Sequence, residues 1–137
     1  MTCKQIVTKQ DKQRVIDRIL KARSSWVTYA PCIDWFRAGL DESEAVPPTD
    51  IAADVITMNS RFVVTDLRTL ETTTRTLVYP EDQMLDAENL SVLSPMGMTL
   101  LGARVGEIVR WRDAMGFEAV EVSRIIYQPE AAGDLHL

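Results

Sequence analysis

The side chains that could do chemistry are few and poorly placed for it. The one histidine, His136, sits beside the C-terminus, so no base–nucleophile pair involving histidine is framed within a folded element. The two cysteines, Cys3 and Cys32, lack the paired Cys/His spacing of a zinc site. They read as ordinary thiols of a reducing compartment, with a Cys3–Cys32 bridge as the alternative. Gly97, Gly102 and Gly106 lack the basic residue and the strand–helix order of a phosphate-binding loop. Glu81, Asp82, Asp86 and Glu88 crowd one short stretch and read as a solvated loop rather than a cation site. The sequence therefore predicts no catalytic residue, no cofactor and no metal: a protein that is not an enzyme.

The elements that must position whatever these residues do are bounded by length. The chain has 137 residues, 46% hydrophobic and 26% charged, enough for one modest core and an appendage. No apolar run has the length of a membrane helix, and Lys4 and its polar neighbours do not introduce a signal peptide, so a cytoplasmic protein without membrane contact is expected. The net charge of −5 is divided unevenly: residues 1–30 carry seven Lys and Arg against two Asp, and all four lysines lie in the first 21 residues. A basic end on an acidic body suggests polarised docking on a large charged partner.

Residues 9–24 have the pattern of a first helix. Thr8 followed by Asp11 suits its N-terminal cap, and Val15, Ile16, Ile19 and Leu20 form one apolar stripe. On the other side Arg14, Arg18 and Lys21 line up as a basic face. Residues 24–31 form a loop carrying Trp26 and Tyr29, and Pro31 opens a second helix whose Cys32, Ile33, Phe36 and Leu40 match the first stripe. The two make a short antiparallel hairpin over residues 1–46, with the tandem prolines Pro47 and Pro48 as an extended joint. Trp26, Tyr29 and Trp35 together predict self-association through the hairpin tip.

From residue 50 to 137 the pattern is mostly β. Strands are predicted over 54–58, 61–67, 73–79, 90–93, 107–111 and 117–127, with an acidic loop over 81–89 and a docked or frayed tail from Glu130. Between the fourth and fifth strands, Ser94 is a good N-cap and Pro95 a good first helical residue. Gly102 fits the left-handed position after a short helix. The fold class is α+β: a helical hairpin, then an antiparallel sheet with one short helix on a face.

The same stretch carries a resemblance. Ser94-Pro95, the short helix, Leu100-Leu101-Gly102, Val105-Gly106-Glu107 and the closing strand resemble the C-terminal domain of the bacterial Gre transcription factors. Residues 55–61 (VITMNSR), 75–80 (RTLVYP) and 127–134 (YQPEAAGD) narrow this to the Rnk family, the regulators of nucleoside diphosphate kinase. The resemblance implies an FKBP-like fold for residues 50–137. It also implies docking on the rim of the secondary channel of bacterial RNA polymerase through the loop that matches Leu93, Ser94, Pro95 and Met96. The basic face Arg14, Arg18 and Lys21 resembles the patch through which Gre hairpins approach the transcript, which makes nucleic-acid contact indirect.

One departure limits what is carried over. Gre cleavage factors hold a metal ion through an Asp-x-x-Glu pair at the hairpin tip, which activates water. Here Asp41 and Glu44 spell that pattern at the far end of the second helix, and residues 24–31 contain no carboxylate. The hairpin is also about half the Gre length. The expectation is a regulator that competes with Gre factors without stimulating cleavage. An active cleavage factor and an FKBP-like prolyl isomerase are the alternatives.

Overall fold

The computed structural model describes residues 5–23, 30–113 and 116–135. Trp26 and Tyr29 at the expected hairpin tip, Cys3, His136 and the side chain of Cys32 lie outside the described residues.

The strand β1 (Ile6–Thr8) runs directly into the helix α1 (Lys9–Arg23). Thr8 makes the switch, because its Oγ1 accepts from the Asp11 N–H at 3.0 Å. Val15 and Ile19 are buried and Ile16 packs beside them, but Leu20 is 53% exposed. Leu20 lies about 100° round the helix from Ile19, which carries it off the contact stripe. The helix α2 (Ala30–Glu42) buries Ile33, Phe36 and Leu40, as its spacing predicts.

The expected extended joint is different in the structure. Residues Glu44–Val46 form β2, which pairs in parallel with β1 in the register Ile6–Glu44, Val7–Ala45 and Thr8–Val46. Ser43 ends α2 by returning both its N–H and its hydroxyl to the Leu40 carbonyl, at 3.0 and 2.5 Å. Only then do the prolines act, opening a 3-10 turn over Pro48–Asp50.

Residues 54–58 are not the predicted strand. Val55, Ile56, Thr57 and Met58 are all buried, so the alternation of a half-buried strand is absent. A single antiparallel bridge joins Val55 to Arg104, and Ile56 exchanges backbone bonds with Ala103 and Gly102. A turn follows in which Asn59 adopts φ 67°, a conformation asparagine tolerates.

The main sheet contains β3 (Arg61–Asp66), β4 (Thr72–Val78), β5 (Asn89–Ser91), β6 (Ile108–Asp113) and β7 (Gly116–Tyr127), in the order β5-β4-β3-β7-β6. It is mixed rather than purely antiparallel, because β5 runs parallel to β4. The crossover that permits this is the acidic stretch, which holds a 3-10 helix over Pro80–Leu85. The short helix α3 (Pro95–Leu100) lies between β5 and β6, and a further helix α4 (Pro129–Ala132) takes up part of the expected tail.

The apolar faces meet in one core. Val15, Ile19, Ile33, Phe36 and Leu40 from the hairpin join Ile56, Met58, Phe62, Val64, Leu77, Leu100 and Val122 from the β body in a single cluster. Neither helix of the hairpin is long enough to be stable alone, and this shared burial is what holds the pair.

Candidate docking surface

The loop before α3 is built by three small side chains. Ser91 Oγ accepts from the Leu93 N–H at 3.1 Å, and the Ser91 carbonyl accepts from the Ser94 hydroxyl at 2.6 Å. Ser94 Oγ in turn accepts from the Gly97 N–H at 3.0 Å, the N-cap bond its position predicts. Gly97 is needed for close approach, since a Cβ there would lie 2.0 Å from the Ser91 carbonyl oxygen. Leu93, Ser94, Pro95 and Met96 are all half-buried, with Leu93 and Met96 packed on the core. Ser94 and Pro95 thus stand part-exposed at a bonded corner, with the Ser94 hydroxyl committed to Ser91 and Gly97.

The basic face is only partly a face. Arg18 leans onto the β body, its guanidinium 4.4 Å from the centre of the Tyr79 ring and bound to Glu81 at 2.7 and 3.2 Å. Lys21 projects with its side chain 73% exposed, 3.3 Å from Asp17 one turn back. Arg14 is half-buried. The three do not form the exposed cationic strip that their spacing predicts, because Tyr79 and Glu81 rise from the body to take Arg18. Tyr79 itself is buried, and burial first, then the Asp11 charge, push its phenol up to about 12. Arg14 acts on its hydroxyl electrostatically, but no bond of good geometry forms.

At the base of the hairpin lies a polar node, of which the sequence marked Asp11 only as part of the helix cap. Asp11 is 1% exposed and its Oδ2 accepts from the Met58 N–H at 3.0 Å. Next to it, the Thr57 hydroxyl lies 2.8 Å from Ser60 Oγ and donates to Glu130 Oε1 at 2.6 Å. Gln128 Nε2 donates to the carbonyls of Ala52 and Val55 at 2.8 and 2.7 Å. Burial pushes the Asp11 carboxyl up to about 7, aided by the charge of Glu130 and opposed by the Met58 N–H, Thr8 and Arg14. Three stretches that carry the resemblance thus converge: residues 55–61 meet 127–134 here, and Leu77 exchanges backbone bonds with Asn59 and Ser60.

Asp41 and Glu44 belong to different elements. Asp41 lies in the last turn of α2 and pairs with Arg37 at 3.3 Å, while Glu44 opens β2 opposite Ile6. Among the described residues, no group of three or more His, Cys, Asp or Glu side chains is arranged to hold a metal ion. The aromatics of the β body also have separate partners: Tyr79 lies under Arg18, Phe117 under Arg112, and Tyr127 donates to Asp134. No described helix is long and apolar enough to cross a membrane.

Comparison with known proteins agrees with this architecture. Residues 51–127 match the family model described as transcription elongation factor GreA/GreB, C-terminal. A solved structure titled prokaryotic transcription elongation factor GreA/GreB from Nitrosomonas europaea superposes with a TM-score of 0.74 at 28% identity, covering 92% of this chain and all of that one. The chain belongs to the GreA/GreB C-terminal family. It is 42% identical over 105 residues to the regulator of nucleoside diphosphate kinase of Escherichia coli K12, spanning 76% of this chain and 77% of that protein. Its branch within the family is that of these regulators, the Rnk proteins. A GreA of Syntrophobacter fumaroxidans is 34% identical over 86 residues, 63% of this chain and 55% of that factor.

Proposed function

We propose that this protein is a transcription regulator that binds bacterial RNA polymerase at the rim of its secondary channel and competes there with Gre factors without stimulating transcript cleavage. The observation that carries the reading is the Ser91–Gly97 corner: a short, bonded loop with Ser94 and Pro95 part-exposed on a member of the GreA/GreB family. Residues Leu93, Ser94, Pro95 and Met96 supply the contact, and the protein acts in the cytoplasm, where its partner is.

Reach and charge support a reading without cleavage. A helix of 15 residues spans roughly 22 Å, and the acids Asp41 and Glu44 sit at its base rather than its tip. Lys21, with Arg14 behind it, approaches nucleic acid only at the channel mouth. Sequestration of a polymerase entrance needs no catalytic residue in the bound protein.

Pull-down with core polymerase tests this directly. The wild-type protein is expected to bind and to be displaced by an excess of a Gre factor. Ser94→Asp keeps an N-cap acceptor for Gly97 but gives up the bond to the Ser91 carbonyl, so it is expected to weaken binding, with thermal unfolding as the control on the loop. Stalled complexes are expected to show no added cleavage. No binding by either form, or cleavage that is lost on Asp41→Ala, sinks the proposal.

A further inference from the structure

We infer that the face of the main sheet turned away from the hairpin binds single-stranded RNA, along a track of arginines that ends at an exposed phenylalanine. The site lies apart from the Ser94-Pro95 corner. It does not depend on the polymerase reading, because it is tested on the free protein.

The sheet has one covered face and one bare face. Phe62, Val64, Val120 and Val122 point into the core that the hairpin and α3 share. Alternation sends their strand neighbours to the other side. The pairing of β6 with β7 then sets Ile108 beside Glu121, Arg110 beside Ala119 and Arg112 beside Phe117 on that second face. A register shift between Val122 and Arg124 keeps Arg124 on the same face, opposite Val63. Arg110, Arg112 and Arg124 are exposed. Phe117 is 75% exposed, with the Arg112 guanidinium 5.2 Å from its ring centre.

This face is basic on an acidic protein. Among the described residues Arg110, Arg112 and Arg124 stand in no ion pair, whereas Arg61 at the far end is held by Glu88 at 3.0 Å. Among the same residues Glu121 is the acid that the strands set between the three arginines, so the track keeps two positive charges in excess on a chain of net −5. An anionic polymer is its complement. Arg110 and Arg112 stand roughly 6.8 Å apart along β6, a stride close to that of neighbouring phosphates in an extended single strand. The stack of Arg112 on Phe117 gives an unpaired base a platform, which a duplex has no open base to use. The floor is low and hydroxylated. Thr65 Oγ1 lies 2.5 Å from Ser123 Oγ, with Thr72 and Thr74 beside them on β4 and Val63 buried between. Hydroxyls at this level suit ribose 2′-hydroxyls and favour RNA over DNA. An acidic peptide would meet the same cations, but its apolar anchors need a pocket rather than a floor of short side chains.

Anisotropy of a fluorescein-labelled oligouridylate titrated with the full chain measures the site. Saturable binding is expected at low salt, and log affinity is expected to fall against log salt with a slope of about −2, the value for three phosphate contacts on a single strand. Arg110→Ala/Arg112→Ala is expected to bind at least tenfold more weakly with a slope of about −0.7, while Arg110→Lys/Arg112→Lys keeps the slope of the wild type. Phe117→Ala removes stacking and no charge, so it is expected to lose about tenfold in affinity at an unchanged slope. These side chains are exposed, and each variant is expected to unfold thermally as the wild type does. The matching oligodeoxyuridylate and a blunt RNA duplex are expected to bind more weakly. No binding by the wild type, binding that the alanine variants leave unchanged, or equal affinity for the DNA or the duplex overturns the inference. Any of these leaves the polymerase reading standing, since the pull-down tests that separately.

Discussion

Asp11 is a carboxylate in an expensive place. It is buried between α1 and the 57–60 turn, with the Met58 N–H as its main compensation. Its folded pKa, raised from 3.8 to about 7, means the native state holds a proton that the unfolded chain has released between those values. Stability linked to this group is therefore fully present below about pH 4, falls as pH rises towards 7, and is flat above it. The shift corresponds to a loss of up to about 4 kcal/mol across that window. Asp11→Asn keeps an acceptor for Met58 and removes the titration. It is expected to raise the urea midpoint at pH 8 and to flatten the profile between pH 5 and 8; an unchanged slope would contradict the assignment. At the docking corner, Gly97→Ala forces a Cβ against the Ser91 carbonyl and is expected to destabilise by about 3 kcal/mol or more. Ser94→Ala, which loses the cap and the hydroxyl's bond to the Ser91 carbonyl, should cost about 1–2 kcal/mol. Thermal unfolding of the two variants checks that ranking.

The elements differ in how plainly the chain announces them. The helix α3 was legible almost to the residue, because Ser94, Pro95 and Gly102 punctuate it, and Gly102 does adopt φ 82°. The strands β3, β4, β6 and β7 were legible from β-forming residues in alternation. The strands β1 and β2 were not: three residues carry no measurable period, and a parallel partner 38 positions away leaves no local trace. Residues 54–58 misled because four consecutive buried side chains look like a core strand. The attachment of α1 was also hidden, since nothing in the spacing of Arg14, Arg18 and Lys21 shows that Tyr79 and Glu81 will meet one of them. That contact can be weighed. A partly exposed ion pair with a cation–π component is worth roughly 1 kcal/mol, partly screened by salt. A double-mutant cycle of Arg18→Ala and Glu81→Ala is expected to give a coupling near that value at low salt and less at 1 M; a coupling of zero would show that Arg18 is held by packing alone.

At the scale of the molecule, hairpin and body share their interior. Val15, Ile19, Ile33, Phe36 and Leu40 contribute on the order of 2 kcal/mol each by burial, and part of that burial is against the body. A fragment of residues 50–137 would lose the hairpin's share of this cluster, so it is expected to unfold at clearly lower urea than the full chain and to bind a hydrophobic dye. An unchanged midpoint would mean that the body is self-sufficient. The Ser91–Gly97 corner was legible as a capped helix start, whereas the groove beside it was not, because it is made only when α2 lies across from α3 and β6. The parallel pairing of Ile6–Thr8 with Glu44–Val46 joins the entry and exit of the hairpin at one point. Its two helices are therefore tied together at their base, and a one-residue slip in that short register would be carried along roughly 22 Å of α1.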